Sequence, residues 1–182
     1  VEMLSGYEAY DFMTNAYNSY KNVSNILKTN IDDVPTKLET FLNTYEELKL
    51  KIDKYKQIEN NQIVENISNN LNVINKYKTY VGSIETDSVD SLRNIAVTAI
   101  NNEVADYVYL IAKIDNKYVI VSMKNEKIIK DFNVSNLVIE TSLNYGGGAS
   151  KDETLSIGGG PKDYSIDKTL MFVNENLNKI LK

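Results

Sequence analysis

Apolar positions step by threes and fours through the first seventy residues and then switch to alternation, and that change of period divides the chain. Met3, Leu4, Tyr7, Tyr10, Met13, Tyr17, Tyr20, Val23 and Leu27 fall on one stripe of a helix over residues 3–27. Thr29-Asn-Ile-Asp-Asp-Val-Pro35 interrupts it, and Asp33 is expected to cap a second helix with Pro35 in its first turn. From there Leu38, Phe41, Tyr45, Leu48, Ile52 and Tyr55 step 3-4-3-4-3, the a/d seam of a heptad. Glu59 and Gln62 break the seam before Ile63, Ile67, Leu71 and Ile74 resume it, as a stutter does. A helix over 35–73, roughly 58 Å long, cannot bury such a stripe alone. The short connection predicts an antiparallel hairpin with the preceding helix, and the seam offers itself to a second chain as well. The polar stretch Glu59–Asn70 is expected to meet solvent or a partner.

From Tyr77 the pattern is that of strands and short helices. A strand is predicted over 77–85, then a helix capped by Asp87 or Ser88 and carrying Val89, Leu92, Ile95, Ala96, Ala99 and Ile100 inward. Tyr107–Ile114 and Tyr118–Met123 are two β-rich runs joined by Asp115-Asn116, a hairpin turn signal. A helix over 134–144 with Val134, Leu137, Val138 and Leu143 inward leads into a glycine-rich loop. A last helix over 164–181 turns Ile166, Leu170, Val173, Leu177 and Ile180 to the core. The fold class is α+β: a helical arm over residues 1–75 as a hairpin or coiled coil, then a small β-α-β-β-α globular domain over 76–182 with a glycine loop and C-terminal helix. Its mixed sheet is expected to carry helices on one face.

Composition narrows the chemistry. The chain of 182 residues has neither cysteine nor histidine, which removes disulfides, thiol nucleophiles, zinc fingers and His-based acid–base catalysis together. Residues 1–105 hold 15 acidic and 10 basic side chains, and residues 106–182 hold ten of each. The net charge of −5 therefore belongs to the first part, leaving a neutral second half able to present a local basic face. No apolar run is long enough to cross a membrane. The chain opens on Val1 with no leader, so the sequence reads as a piece of a cytoplasmic protein.

Six of the eight glycines lie in Tyr145-Gly-Gly-Gly-Ala-Ser-Lys-Asp-Glu-Thr-Leu-Ser-Ile-Gly-Gly-Gly-Pro161, as the triplets Gly146–Gly148 and Gly158–Gly160. Such runs lose more chain entropy on ordering than any other tripeptide. Their retention points to close approach onto bare main chain, whose N–H groups can form an anion-binding concavity. Tyr145 and Tyr164 flank this segment as candidate stacking surfaces. Lys151 and Lys162, with Lys124, Lys127 and Lys130 from the strand-to-helix connection, are the candidate cations. Five phosphate contacts predict a slope of about −4 to −5 for log K against log salt. A Walker A reading fails, because Gly160-Pro161-Lys162-Asp163 lacks the hydroxyl and Pro161 removes a donor. The dinucleotide fingerprint fails because neither triplet directly follows a strand in a βαβ unit. Adjacent carboxylates such as Asp32/Asp33, Glu46/Glu47 and Asp152/Glu153 diverge on a helix rather than forming an acid–base pair.

Val1-Glu-Met-Leu-Ser-Gly-Tyr-Glu-Ala9, the long helical arm, and β-α-β-β-α followed by two glycine triplets and a terminal helix resemble the C-terminal region of the alanyl-tRNA synthetase family. The last module is similar to the DHH-associated domain shared with single-strand exonucleases of the DHH phosphoesterase superfamily. The resemblance covers essentially the whole chain. It implies a non-catalytic region that holds the elbow of tRNA(Ala) and joins two protomers, while aminoacylation and editing proceed elsewhere in a parent that uses ATP, magnesium and zinc. It matches Gly146, Gly147 and Gly148 to the family's first glycine run and Gly158, Gly159 and Gly160 to its second. Ala149-Ser150 stands where the family often has Arg-Pro, so the cation of that position is absent and Lys151 or Lys162 would have to substitute. A dimerisation module with little RNA affinity is the alternative reading. A DHH-type phosphoesterase is disfavoured, since its Asp/His metal cluster needs histidines the chain lacks.

Overall fold

The structure, a computed structural model, describes residues 5–181, so Met3 and Leu4 of the first stripe lie outside the described residues. The chain divides into two compact units, Val1–Tyr55 and Lys56–Lys182. The sequence pattern puts the division near residue 75, at the end of the helical periodicity. The compact units meet earlier, inside a helix, because the last turns of that helix carry core residues.

In the first unit, α1 spans Gly6–Leu27. It ends at Lys28 in the left-handed region (φ 50°), where Lys28 N–H donates to the Asn25 carbonyl and Thr29 N–H to that of Ser24. Ser24 Oγ donates back to the Thr29 carbonyl at 2.6 Å. A 3-10 turn, Ile31–Asp33, then runs into α2, Val34–Asn69. Asp33 is thus part of the turn rather than the N-cap expected of it, while Pro35 does stand in the first turn of α2. Ser24 and Val34 are buried at this elbow. The predicted mutual burial of the two stripes is not found among the described residues: Tyr7, Tyr10, Met13 and Tyr17 on α1 lie exposed, as do Leu38, Phe41, Tyr45, Leu48, Ile52 and Tyr55 on α2.

The second unit is a six-stranded mixed sheet in the order β1-β2-β3-β4-β6-β5. β1 (Asn72–Ile74) and β2 (Tyr77–Ser83) form a hairpin turned at Asn75, which has φ 58°. α3 (Val89–Asn101), capped by Ser88 accepting from Ser91 N–H, crosses over to β3 (Tyr107–Ile114), parallel to β2. β4 (Lys117–Lys124) returns antiparallel through Asp115-Asn116, both at positive φ as a primed two-residue turn requires. α4 (Val134–Asn144), β5 (Gly148–Ala149), β6 (Leu155–Gly160) and α5 (Ile166–Ile180) complete it.

β3 is buried on both faces, as a central strand partly in parallel pairing should be. Tyr107, Tyr109 and Ile111 join one core with Val138, Val173 and Leu177 of α4 and α5. The alternate residues Val108, Leu110 and Ala112 join another with Leu92, Ile95 and Ala96 of α3. Helices therefore cover both faces, not the one expected. Val64 and Ile67, from the Asn-rich end of α2, sit in the α3 core. Two inward assignments also change: Leu143 and Ile180 are exposed.

Candidate nucleic-acid interface

The segment read as a glycine loop is two strands. Asp152 turns the chain between them, its carboxylate accepting from the N–H groups of Thr154 and Leu155 at 2.8 and 2.9 Å. Those two donors hold its pKa below the usual carboxylate range. Ser150 N–H then donates to the Ile157 carbonyl at 2.8 Å, and β6 slots between β4 and the edge strand β5. The register is Tyr118↔Gly160, Val119↔Gly159 and Ile120↔Gly158 on one side, Gly148↔Gly159 and Ala149↔Gly158 on the other. The second triplet is thus laid into a ladder whose main-chain groups serve neighbouring strands.

What approaches these glycines is the protein itself. A Cβ on Gly147 would overlap the Gly159 carbonyl oxygen and lie 3.0 Å from Gly160 Cα. One on Gly159 would overlap the Tyr118 carbonyl oxygen, and Gly159 also holds φ 132°, a conformation that favours glycine. One on Gly160 would overlap the Tyr145 carbonyl and stand 2.7 Å from Gly147 N. At Gly158 the neighbours are Ser142 Oγ on α4 and Ala149 Cβ, the latter at 2.6 Å. Gly146, at φ 72°, turns the chain out of α4 and faces Lys162 Cβ at 3.3 Å. Gly148 alone faces open space. The expectation that the triplets are bare so that a ligand can approach is therefore corrected: five of the six glycines answer to turn geometry or to packing within the fold.

Tyr145 is corrected with them. It is fully buried, its hydroxyl 2.8 Å from Thr169 Oγ1 and its ring 4.7 Å from that of Tyr118 and 5.6 Å, edge-on, from that of Tyr164. Burial raises its pKa first of all, and it offers no face for a base. Tyr164 is half-buried against it. Tyr118, which donates to Asp163, has its own pKa raised chiefly by that bond. Lys124 is also buried: its Nζ donates to the carbonyls of Phe132 at 2.5 Å and Lys130 at 3.3 Å, fastening the β4–α4 connection.

The remaining cations, Lys127, Lys130, Lys151 and Lys162, are exposed, but the structure does not gather them. Lys127 lines a cleft of about 280 Å³ with Lys124, Glu103 and Glu126, at the Met123–Leu155 end of the β4–β6 pair. Lys162 follows Gly160 at the other end, some 17 Å away along six residues of strand. That end of the sheet also carries two lysines that the sequence pattern does not single out, on alternate faces. Lys113 pairs with Tyr118 across β3–β4, its Nζ 5.3 Å from that ring, and Lys117 opens β4. The Asp115-Asn116 turn was the available signal, because it fixes the register that sets Lys113 and Tyr118 opposite one another and brings Gly160 alongside. Among the described residues no three His, Cys, Asp or Glu side chains come together to hold a metal, and no helix is long and apolar enough to cross a membrane.

No family model matches the chain. Along its whole length it is 24% identical to the alanine–tRNA ligase of Coxiella burnetii, of which it covers 21%. Over 96% of its length it is 26% identical to that of Pediococcus pentosaceus, covering 20% of that protein. The chain thus spans about a fifth of the relatives it matches. In fold it is similar to the C-Ala domain of Aquifex aeolicus alanyl-tRNA synthetase, with a TM-score of 0.53 at 19% identity, over 60% of this chain and 98% of that one. The resemblance carried by the glycine triplets and the helical arm holds in sequence along the chain and in the α+β fold.

Proposed function

We propose that this chain is the C-terminal region of an alanine–tRNA ligase, and that it binds the elbow of tRNA(Ala) and joins two protomers while other parts of the parent carry out aminoacylation and editing. The observation that carries this is the similarity to alanine–tRNA ligases over the full length, helical arm and globular unit alike. The ATP, magnesium and zinc chemistry of such a ligase belongs to those other parts, since a chain without His or Cys offers poor zinc ligands. The setting we assign it is cytoplasmic.

In this reading the RNA meets side chains and one open strand edge rather than a glycine cradle. Gly148 on β5, with Lys151, Lys127 and Lys130 toward one end and Lys162 with Lys113 and Lys117 toward the other, gives two separated groups of cations. Two phosphate contacts a strand-length apart suit a bent, folded RNA better than a point anion. With Lys124 buried, four of the five selected lysines remain and Lys113 and Lys117 are added, so the expected slope of log K on log salt stays at about −4 to −5. Titration of the full chain with a tRNA(Ala) transcript against a linear duplex of equal length tests the reading. Tighter capture of the transcript with that slope supports it; equal affinities, or a slope near zero, overturn it.

The alternative, a dimerisation module with little RNA affinity, is favoured by a different observation, the exposed tyrosine-rich stripes of α1 and α2. A chain that dimerises but captures neither RNA selects this alternative.

A further inference from the structure

β2 and β3 run parallel, and β3 outlasts its neighbour. Their register ends at Ser83↔Ile111, and Ile84 N–H adds one last rung to the Ile111 carbonyl at 2.9 Å. The chain then leaves the sheet for Ser88 and the start of α3, while β3 runs on through Ala112 and Lys113 to Ile114. The hairpin fixes where the main-chain groups of those last residues point. A two-residue turn closes on a hydrogen-bonded pair, here Ile114↔Lys117, so Ile114 and Ala112 bond to β4 whereas Ile111 and Lys113 face β2. The rung from Ile84 to Ile111 has the same phase. Among the described residues neither Ile84 nor Glu85 makes a main-chain bond to Lys113. The Lys113 N–H and C=O therefore stand at an open length of strand edge, the pair of groups that templates another strand.

A half-open cleft of about 510 Å³ lies at this position. It is lined by Ile84, Glu85 and Thr86 of the departing segment, by Ile111 and Lys113 of β3, and by Ile166 at the start of α5. That volume suits a small ligand or a few residues of peptide. α3 packs on one face of the sheet and α5 on the other. The cleft thus lies at the carboxyl ends of parallel strands with helices on opposite faces, where open sheets bind their ligands. Ile111 and Ile166 belong to the core on the α5 side and give it an apolar wall. Its charge is one-sided. Lys113 Nζ leans over the Tyr118 ring of β4 at 5.3 Å, and Glu85 has no ion pair among the described residues.

We propose that this cleft receives the main chain of a short extended peptide from another protein, one residue of which exchanges both its hydrogen bonds with Lys113. A strand finds there a donor, an acceptor, an apolar wall for one side chain and a carboxylate for a basic neighbour. A free phosphate finds a single lysine whose ammonium is turned toward β4. The site uses the main chain of Lys113 and stands independently of the RNA reading above.

The test is an NMR titration of the nitrogen-15-labelled full chain with acetyl-Lys-Leu-Lys-amide. Beside it runs the same peptide N-methylated at leucine, which keeps every charge and side chain and loses the donor. The expected result is saturable shifts centred on the amides of Ile84, Glu85 and Lys113, with several-fold slower hydrogen exchange at Lys113. The methylated peptide, and Glu85→Gln with the unmethylated one, should each bind several-fold more weakly. Equal binding of the two peptides reduces the contact to charge and apolar surface and overturns the pairing. Shifts centred elsewhere, or none that saturate at millimolar peptide, overturn the site. The same amides moving with a tRNA transcript and not with peptide assign the cleft to RNA and overturn the proposal.

Discussion

One helix, α2, runs from a unit that buries almost nothing into a unit with a packed core on each face of its sheet. Ile52 is 54% exposed and Ile67 is 1% exposed, although both occupy apolar positions of the same unbroken helix. Hydrophobic periodicity therefore states that a face wants covering; it does not state what covers it. In the globular unit the cover is α3 and the sheet, and in the arm the stripes of α1 and α2 stay exposed. The glycines teach the same lesson in reverse. Their bare surface was an invitation to a ligand in the sequence, and in the fold five of the six are taken up by the chain's own main chain and turns.

The contrast can be broken by substitution. Gly159→Ala has the largest expected effect, since its Cβ overlaps a β4 carbonyl at a backbone angle that disfavours side chains. It should cost about 4 kcal/mol or more, read as loss of the cooperative thermal transition. Ile67→Ala should cost about 2–4 kcal/mol through the cavity it leaves, whereas Ile52→Ala should stay within about 0.5 kcal/mol. Equal losses at the two isoleucines in denaturant unfolding would erase the distinction between the units. Lys124→Met leaves two carbonyls without their donor and should cost about 1–3 kcal/mol, with salt dependence of RNA capture unchanged. A shallower salt slope would return Lys124 to the interface.

The smallest effect is expected at Asp152. Its folded pKa is depressed by the Thr154 and Leu155 N–H groups, so its contribution exists above the unfolded carboxylate value near 4 and disappears as pH falls through the folded one. Asp152→Asn should lower the thermal midpoint slightly at pH 7, and the difference should close in acid. A gap that widens in acid would contradict the assignment.

Most elements were legible in the sequence because their signals are local. α4 is found at its predicted bounds, and Asp115-Asn116 turns as its residue types require. The α+β class followed from the change of period at Tyr77. What escaped was set by long-range pairing. β5 has two residues and β6 ends in three glycines, which strands ordinarily avoid, so only the register with β4 makes them strands. Ile63 and Ile67 kept a heptad-like step while changing partner, which no period records. The candidate site was legible as a location but not as an arrangement. Tyr145 and Lys124 are residue types that bind RNA when exposed, and both are buried; Lys113 and Lys117 reach the Lys162 end of the sheet only through hairpin register.

The central claim is that the paired triplets are bare for the sake of the fold. Thermal unfolding of Gly147→Ala beside Gly148→Ala tests it most directly, because a methyl group at Gly147 would overlap the Gly159 carbonyl oxygen and one at Gly148 would meet open space. The account predicts a large fall in the midpoint for Gly147→Ala and almost none for Gly148→Ala. If Gly147→Ala unfolds at the unsubstituted temperature and loses tRNA instead, the triplets serve the ligand and the account is wrong.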